Sequence, residues 1–270
     1  MSPHLDSVAV LSDVHGNLTA YRAVLEDIER RGISTVLNLG DVAGKGPRGS
    51  EAVALTRQRC QVTVRGNWDA FLDGPRDQLP EDVRWWHDEL TDQDRAWLGA
   101  LPGHHDLHIS GRRVRLFHAS STDEFTRVHF HHSSEQFREM FRATPFTGEG
   151  PEPSVVGYGD IHDTYVEVEG GLTLFNAGSV GNPLDEPTAA YAILEGELGG
   201  ADPAPFSLSF VRVPYDVEAE IAVARDRGMV AADAYAIELR TAIYRGRHAE
   251  LGLSVEGTVK PRLWWRAGCL

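Results

Sequence analysis

Three times near its start, the chain runs through a few apolar residues and breaks off at an acid or an amide, twice with a glycine directly before it. Ser7–Ser12 (SVAVLS) ends at Asp13, Thr35–Leu39 (TVLNL) at Gly40-Asp41, and Gln61–Val64 at Gly66-Asn67. Short runs of this kind, rich in β-branched residues and bounded by turn formers, read as buried strands. Between the first two, Leu18, Tyr21, Leu25 and Ile28 recur at helical spacing up to Arg31, and Gly32 stops the helix. Strand–helix–strand alternation predicts a sheet with parallel strands and helices packed on it. In such sheets ligands sit beyond the carboxyl ends of the strands, which is where these polar residues stand.

The stretch Glu81–Leu101 reads as one or two helices covering an edge, with Trp85, Trp86 and Trp97 as packing anchors rather than ligand stackers. Beyond Pro102 the pattern changes to seven short strands: His105–Ile109, Val114–His118, Ser154–Gly157, Thr164–Val168, Leu172–Asn176, Ala189–Leu194 and Ser207–Val213. They are expected to form a second, mixed sheet, and Gly170-Gly171 reads as a hairpin turn. Two helices follow, over Asp216–Arg227 and Ala231–Arg245. With no repeat, low-complexity tract or linker, residues 1–270 are expected to form one domain. Trp264 and Trp265 near the end read as a core strand in preference to a subunit contact.

Charge narrows the partners. With 26 Lys+Arg against 40 Asp+Glu, the formal charge is −14. That balance argues against a long nucleic acid, whose binding rests on neutralising phosphates with Lys and Arg. It argues equally against a polybasic membrane-binding patch, but it leaves room for a small anion in a locally cationic pocket. Two cysteines, Cys60 and Cys269, with no CxxC pair, suggest neither a disulfide framework nor structural zinc. No basic-flanked apolar leader and no apolar run of about 18 residues is seen, so a cytoplasmic location is expected. Oligomeric state stays open, a homodimer being among the options.

The residues that carry chemistry follow strand ends: Asp13-x-His15, Gly40-Asp41, Gly66-Asn67 with Trp68-Asp69, His118, and Gly159-Asp160-Ile161-His162. Singly, each has an ordinary explanation as a turn residue or helix cap. Together, five strand ends offering oxygen or imidazole suit a borderline or hard divalent metal, manganese, iron, zinc or nickel, rather than a thiolate-loving one. An extended chain through Asp13-Val14-His15 would put both side chains on one side.

The motifs SDVHGN, GDVAGKGP, RGNWD, FHAS and GDIH, in that order, resemble the calcineurin-like metallophosphoesterase superfamily. The chain is most similar to its small bacterial YfcE-like phosphodiesterase branch, and TLFNAGSVGNP matches the downstream strand-turn signature. The resemblance implies an α/β fold: a four-layer α/β/β/α sandwich of two mixed sheets flanked by helices. It implies two divalent ions, manganese first. Asp13, His15, Asp41 and His162 would hold one ion. Asp41 would bridge to the second, which would also take Asn67 and His118. The implied reaction is metal-assisted hydrolysis of a small phosphorylated substrate, with a metal-bridging hydroxide as nucleophile. Asp13, Asp41, Asn67 and His118 would be the catalytic set, and Asn67 and His118 would also touch substrate. Asn17 and Asp69 are candidates for supporting contacts behind the ligands.

Two positions depart from the family pattern. Asp160 stands where the family has histidine. It reads as a ligand in its own right, ahead of a supporting role or a weakened second site. As a third carboxylate it would lower the charge of the site and tilt it from monoesters toward diesters. Trp68 stands where many members have a histidine that assists the leaving group. His129, His131, His132 or water are the substitutes, against a plain solvated loop for VHFHHSS. Lys45 reads as an exposed lysine in preference to a phosphate ligand. GDVAGKGP lacks the spacing of a phosphate-binding P-loop. The alternatives to a diesterase are a phosphomonoesterase acting on a nucleotide or phosphoprotein, and a non-catalytic metal-binding interaction protein of the same fold.

Overall fold

In the computed structural model, residues 5–258 are described; the Trp264-Trp265 segment and Cys269 lie outside them. Strand β1 (Asp6–Leu11) leads through α1 (Leu18–Arg30) to β2 (Thr35–Asn38), then through α2 (Gly49–Arg59) to β3 (Val62–Thr63). Asn17 starts α1 by accepting the Ala20 N–H, and Leu18, Tyr21, Val24, Leu25 and Ile28 form its buried stripe. Three short helices follow: α3 (Asn67–Asp73), α4 (Arg84–Glu89) and α5 (Asp92–Gly99). The second half runs β4 (His104–Ile109), β5 (Arg112–Phe117), α6 (Ser134–Glu139), β6 (Val155–Tyr158), β7 (Thr164–Glu169) and β8 (Leu172–Ala177). It ends with β9 (Ala189–Gly196), β10 (Ser207–Val213), α7 (Val217–Asp226) and α8 (Ala232–Thr241). The β7–β8 hairpin turns on Gly170-Gly171, both at positive φ.

The strands form two five-stranded mixed sheets, ordered β10-β9-β1-β2-β3 and β4-β5-β6-β8-β7. The seven later strands therefore do not all share one sheet. β9 and β10 join the first, with β9 antiparallel to β1 (Val8 opposite Leu194, Val10 opposite Ala192). The reason lies in β9 itself. Its run AAYAIL is buried on both faces, and a place between β1 and β10 covers both.

Alternation along β1 divides the core. Val8 and Val10, with Leu37 and Leu39, face Val114, Leu116, Val155 and Phe175 of the second sheet. Ala9 and Leu11 face the helices, packing with Tyr21 and Leu25 of α1, Val53 of α2 and Leu239 of α8. On the outer side of the second sheet, Phe117, Val156, Tyr158 and Leu174 pack on Phe137 of α6 with Met140 and Phe141. This is the expected four-layer sandwich, with a thin fourth layer. β1, β2 and β3 run parallel in one sheet and β5, β6 and β8 in the other. All the polar strand-end motifs follow these six strands. Among the described residues, no helix is long and apolar enough to cross a membrane.

Candidate metal centre

The polar residues after five of these strands, β1, β2, β3, β5 and β6, converge. Asp13, His15 and His118 are wholly buried, and Asp41, Asp160 and His162 nearly so. His162 Nε2 lies 3.2 Å from Asp13 Oδ1 and 3.2 Å from His15 Nε2. Asp41 Oδ2 stands 3.5 Å from both His15 Nε2 and His118 Nε2. Two triads share Asp13: one with His15 and His162, the other with Asp41 and His118. Asn67, at the start of α3, donates its amide N–H to Asp160 Oδ1 at 2.9 Å. Asp160 Oδ1 is 3.9 Å from His118 Nε2.

The backbone reaches this geometry through left-handed residues. Asp13, His15, Asp41, Lys45, Asp160 and His162 all have φ between 49° and 67°, a conformation that costs non-glycine residues energy and clusters at functional sites. Asp13-Val14-His15 is therefore not extended. The two side chains meet because two left-handed residues flank Val14, with the turn held by His15 N–H to Asp41 O and Gly16 N–H to Val42 O. Gly40 (φ 96°) lies so close to the Gly66 backbone that a Cβ would collide with it, so the chain ends after β2 and β3 can touch only as glycines.

Supporting contacts fix the candidate donor atoms. His118 Nδ1 pairs with the Leu39 carbonyl at 2.8 Å, and His162 Nδ1 with the Asn182 carbonyl at 2.5 Å, which turns each Nε2 into the site. Ser12 Oγ donates to Asp13 Oδ2 at 2.5 Å. Asp69, fully buried, accepts from the N–H groups of Asp41, Val42 and Gly66 at 2.8, 3.0 and 2.9 Å. Asp69 thus stands behind the Asp41 backbone. Asn17 is one step further out. It caps α1 and donates to Gly181 O, next to the Asn182 that orients His162.

Electrostatics asks for a cation. Burial alone would raise the Asp13 and Asp41 carboxyls, but the surrounding imidazoles outweigh it and hold both below the ordinary range. Burial and then Lys45 press His15 down to about 4. For His118, burial is outweighed by Asp41, Asp13 and Asp160, which lift it to about 10. Without a metal, a proton on His118 is the counter-ion of the carboxylates. Asp13 Oδ1 and His118 Nε2 are buried with no hydrogen-bond partner among the described residues. A cluster of carboxylates and imidazoles with unpartnered, inward-facing donor atoms fits divalent metal ions.

Two side chains sit otherwise than expected. Lys45 is not exposed: partly buried, it places Nζ 3.1 Å from His162 Nε2 and 5.9 Å from the Trp68 ring centre. Asp160 does not bring a bare negative charge. Arg127 grips it bidentately, Nε to Oδ2 at 2.8 Å and Nη2 to Oδ1 at 2.7 Å. The expected lowering of site charge by Asp160 is therefore offset beside it. Arg127 escaped the sequence reading; its one signal was that a carboxylate in place of a histidine calls for a counter-cation somewhere in the chain.

A cavity of about 890 Å³ opens over the site. Its lining includes Lys45, Trp68, Trp86, Arg127 and His129, together with residues 241–245 at and beyond the end of α8. Trp68 packs edge-on against His15 and Trp86. Trp86 is both core anchor and cavity wall, while Trp85 and Trp97 pack on the core. His132 turns away to Tyr165 and Glu167, and His131 is exposed beside Phe130. Of the three loop histidines, only His129 reaches the cavity.

Comparison with known proteins agrees with this geometry. The calcineurin-like phosphoesterase superfamily domain matches residues 7–198. An uncharacterized protein of Methanocaldococcus jannaschii is 30% identical over 224 residues, 78% of this chain and 88% of the relative. Phosphodiesterase YfcE of Escherichia coli K12 is 25% identical, over 69% of this chain and 86% of its own. Among solved structures, a metallophosphoesterase from Sphaerobacter thermophilus shares the fold with a TM-score of 0.65 and 24% identity, covering 87% of this chain and 98% of that one.

Proposed function

The chain belongs to the calcineurin-like phosphoesterase superfamily, a family of metal-dependent phosphoester hydrolases, and from that premise we propose that it hydrolyses small phosphoesters at a two-metal centre. Asp13, His15 and His162 would hold one ion, and His118 and Asn67, with Asp160, the other. Asp41 would be shared between them. The main support is Asp41 Oδ2, 3.5 Å from the Nε2 atoms of both His15 and His118, the position a shared ligand needs. Manganese is the first candidate, with iron, nickel and zinc as alternatives, since mixed oxygen and imidazole donors suit all four. Bound divalent ions supply the positive charge that stabilises a phosphoryl group under attack and the acidity that activates water.

The chain's own residues do the rest. Ser12, Asp69 and the carbonyls of Leu39 and Asn182 hold the ligand atoms in place before substrate arrives. Trp68 and Trp86 form an apolar wall that limits water at the site. Trp68 has no proton to give near neutral pH, so the leaving group takes its proton from His129, which lines the cavity, or from water. A cavity of about 890 Å³ supports a small phosphorylated molecule as the substrate.

Phosphodiesters are the class favoured by the relation to YfcE. Phosphomonoesters are a second reading, favoured by Arg127, which offsets the Asp160 charge that would disfavour a dianion. The test is reconstitution with Mn²⁺, a metal count, and turnover of bis(p-nitrophenyl) phosphate and p-nitrophenyl phosphate. Two ions per chain and turnover lost in Asp41→Asn are expected. Two bound ions with turnover of neither ester would point to a non-catalytic interaction protein.

A further inference from the structure

Within that phosphoesterase reading, on which this inference rests, one side chain separates the two substrate classes. A guanidinium has five N–H donors. Arg127 spends two on Asp160, and among the described residues no other group takes the remaining three. Its side chain is half exposed and lines the cavity over the metal ligands. Two other guanidiniums line the cavity: Arg245 is locked onto Glu238 by its Nε, its Nη2 and its backbone N–H, and Arg247, in the turn after α8, lies 3.9 Å from Glu250 and makes no contact with the metal-site residues. Arg127 is thus a fork held rigidly at one end by a buried carboxylate, with unspent donors at the edge of the site.

A phosphodiester presents two terminal oxygens and one negative charge. A phosphomonoester presents three terminal oxygens and up to two charges. A planar fork of charged donors adds most to the second kind, because charge-assisted bonds to phosphate oxygens are strong and matched in shape. The geometry points to Arg127 as a specificity-determining residue that binds a terminal phosphoryl oxygen and raises the preference of the site for phosphomonoesters over diesters. Asp160, in the place of the family histidine, anchors that arginine.

The test compares wild type, Arg127→Gln and Arg127→Lys, each loaded with Mn²⁺ to equal measured metal content. Turnover of p-nitrophenyl phosphate is set against bis(p-nitrophenyl) phosphate, and inorganic phosphate is titrated by calorimetry. Arg127→Gln should lower the monoester-to-diester ratio of kcat/KM by about tenfold, mainly through KM, and weaken phosphate binding by about tenfold, the worth of one charge-assisted bond. Arg127→Lys should fall between, since it keeps the charge and loses the fork. Should Arg127→Gln fail to fold or to hold metal, the lysine variant, which keeps a counter-charge on Asp160, must still show a lowered ratio. An unchanged or raised ratio, or unchanged phosphate affinity, would reduce Arg127 to a partner of Asp160 and overturn the inference. If wild type turned over neither ester, the proposed function would fail, and the phosphate titration would still decide the role of Arg127.

Discussion

Asp69 offers the sharpest test of how this site is held together. Its buried carboxylate touches no metal-ligand side chain, yet it accepts three backbone N–H groups, two from Asp41-Val42 and one from Gly66. Asp69→Ala would strand three buried donors. At roughly 1.5 kcal/mol per bond to a charged acceptor, the low end of the range, the loss is about 4.5 kcal/mol. Part is offset, because the carboxylate is itself costly to bury: burial and then Asp41 push it up to about 7. A net loss of about 3 kcal/mol is expected, or roughly 6–12 °C in Tm for a chain of this size. Asp69→Asn keeps one accepting oxygen and should lose about half as much. The assay is urea and thermal unfolding of metal-free protein at pH 8, with Mn²⁺ binding followed by calorimetry. Since Asp69 fixes the Asp41 backbone, metal affinity should fall about 10–100-fold in the alanine variant. A stability change below about 1 kcal/mol together with unchanged metal affinity would refute the assignment of Asp69 as the support of Asp41.

Other perturbations follow the same logic. Mn²⁺ at 100 times its Kd should stabilise the protein by about 2.7 kcal/mol, chelator should reverse this, and Asp41→Asn should abolish it in a thermal shift assay. In Gly66→Ala the added Cβ would meet the Asp41 carboxylate and backbone nitrogen; calorimetry should show Mn²⁺ affinity reduced by at least about tenfold while the circular dichroism spectrum is retained. Asp106, on β4 and outside the cavity lining, pairs with Arg113 and the wholly buried Arg115. Burial would raise its carboxyl, but the two guanidiniums outweigh it and hold it below the ordinary range. Its stabilisation is therefore present above the unfolded carboxyl pKa and lost as pH falls through the lower folded value. Asp106→Asn should cost about 3 kcal/mol at pH 7 by urea unfolding, and the gap from wild type should narrow below about pH 4.

Much of the fold and of the cluster of polar residues at the candidate site was legible in the sequence for a local reason. A strand, its turn and the first polar residue beyond it are contiguous in the chain, so Asp13, Asp41, Asn67, His118 and Asp160 could be recognised from their own neighbours. Helix α1 was legible because its buried stripe and its Asn17 cap are local. The short α2, α3 and α6 were missed, and α2 shows why: its polar sequence has only Ala52, Val53 and Thr56 buried beside Gly49, so it has no clear apolar stripe to read. The place of β9 beside β1 was also missed, because a run apolar on both faces says that it is central and not in which sheet.

The sequence by itself determined which donor atoms this protein offers and in what order along the chain. That order, with oxygen and imidazole at successive strand ends, points to a divalent metal, and the family resemblance that the same motifs carry implies metal-assisted phosphoester chemistry. Only the tertiary structure decided the charge those donors work in. Lys45 lies against His162 across 117 residues of sequence, and Arg127 grips Asp160 across 33. Hydrogen bonds and Coulomb forces act through space and not along the chain. A carboxylate read from its sequence neighbours as one more negative charge therefore turns out, once folded, to be half of an ion pair.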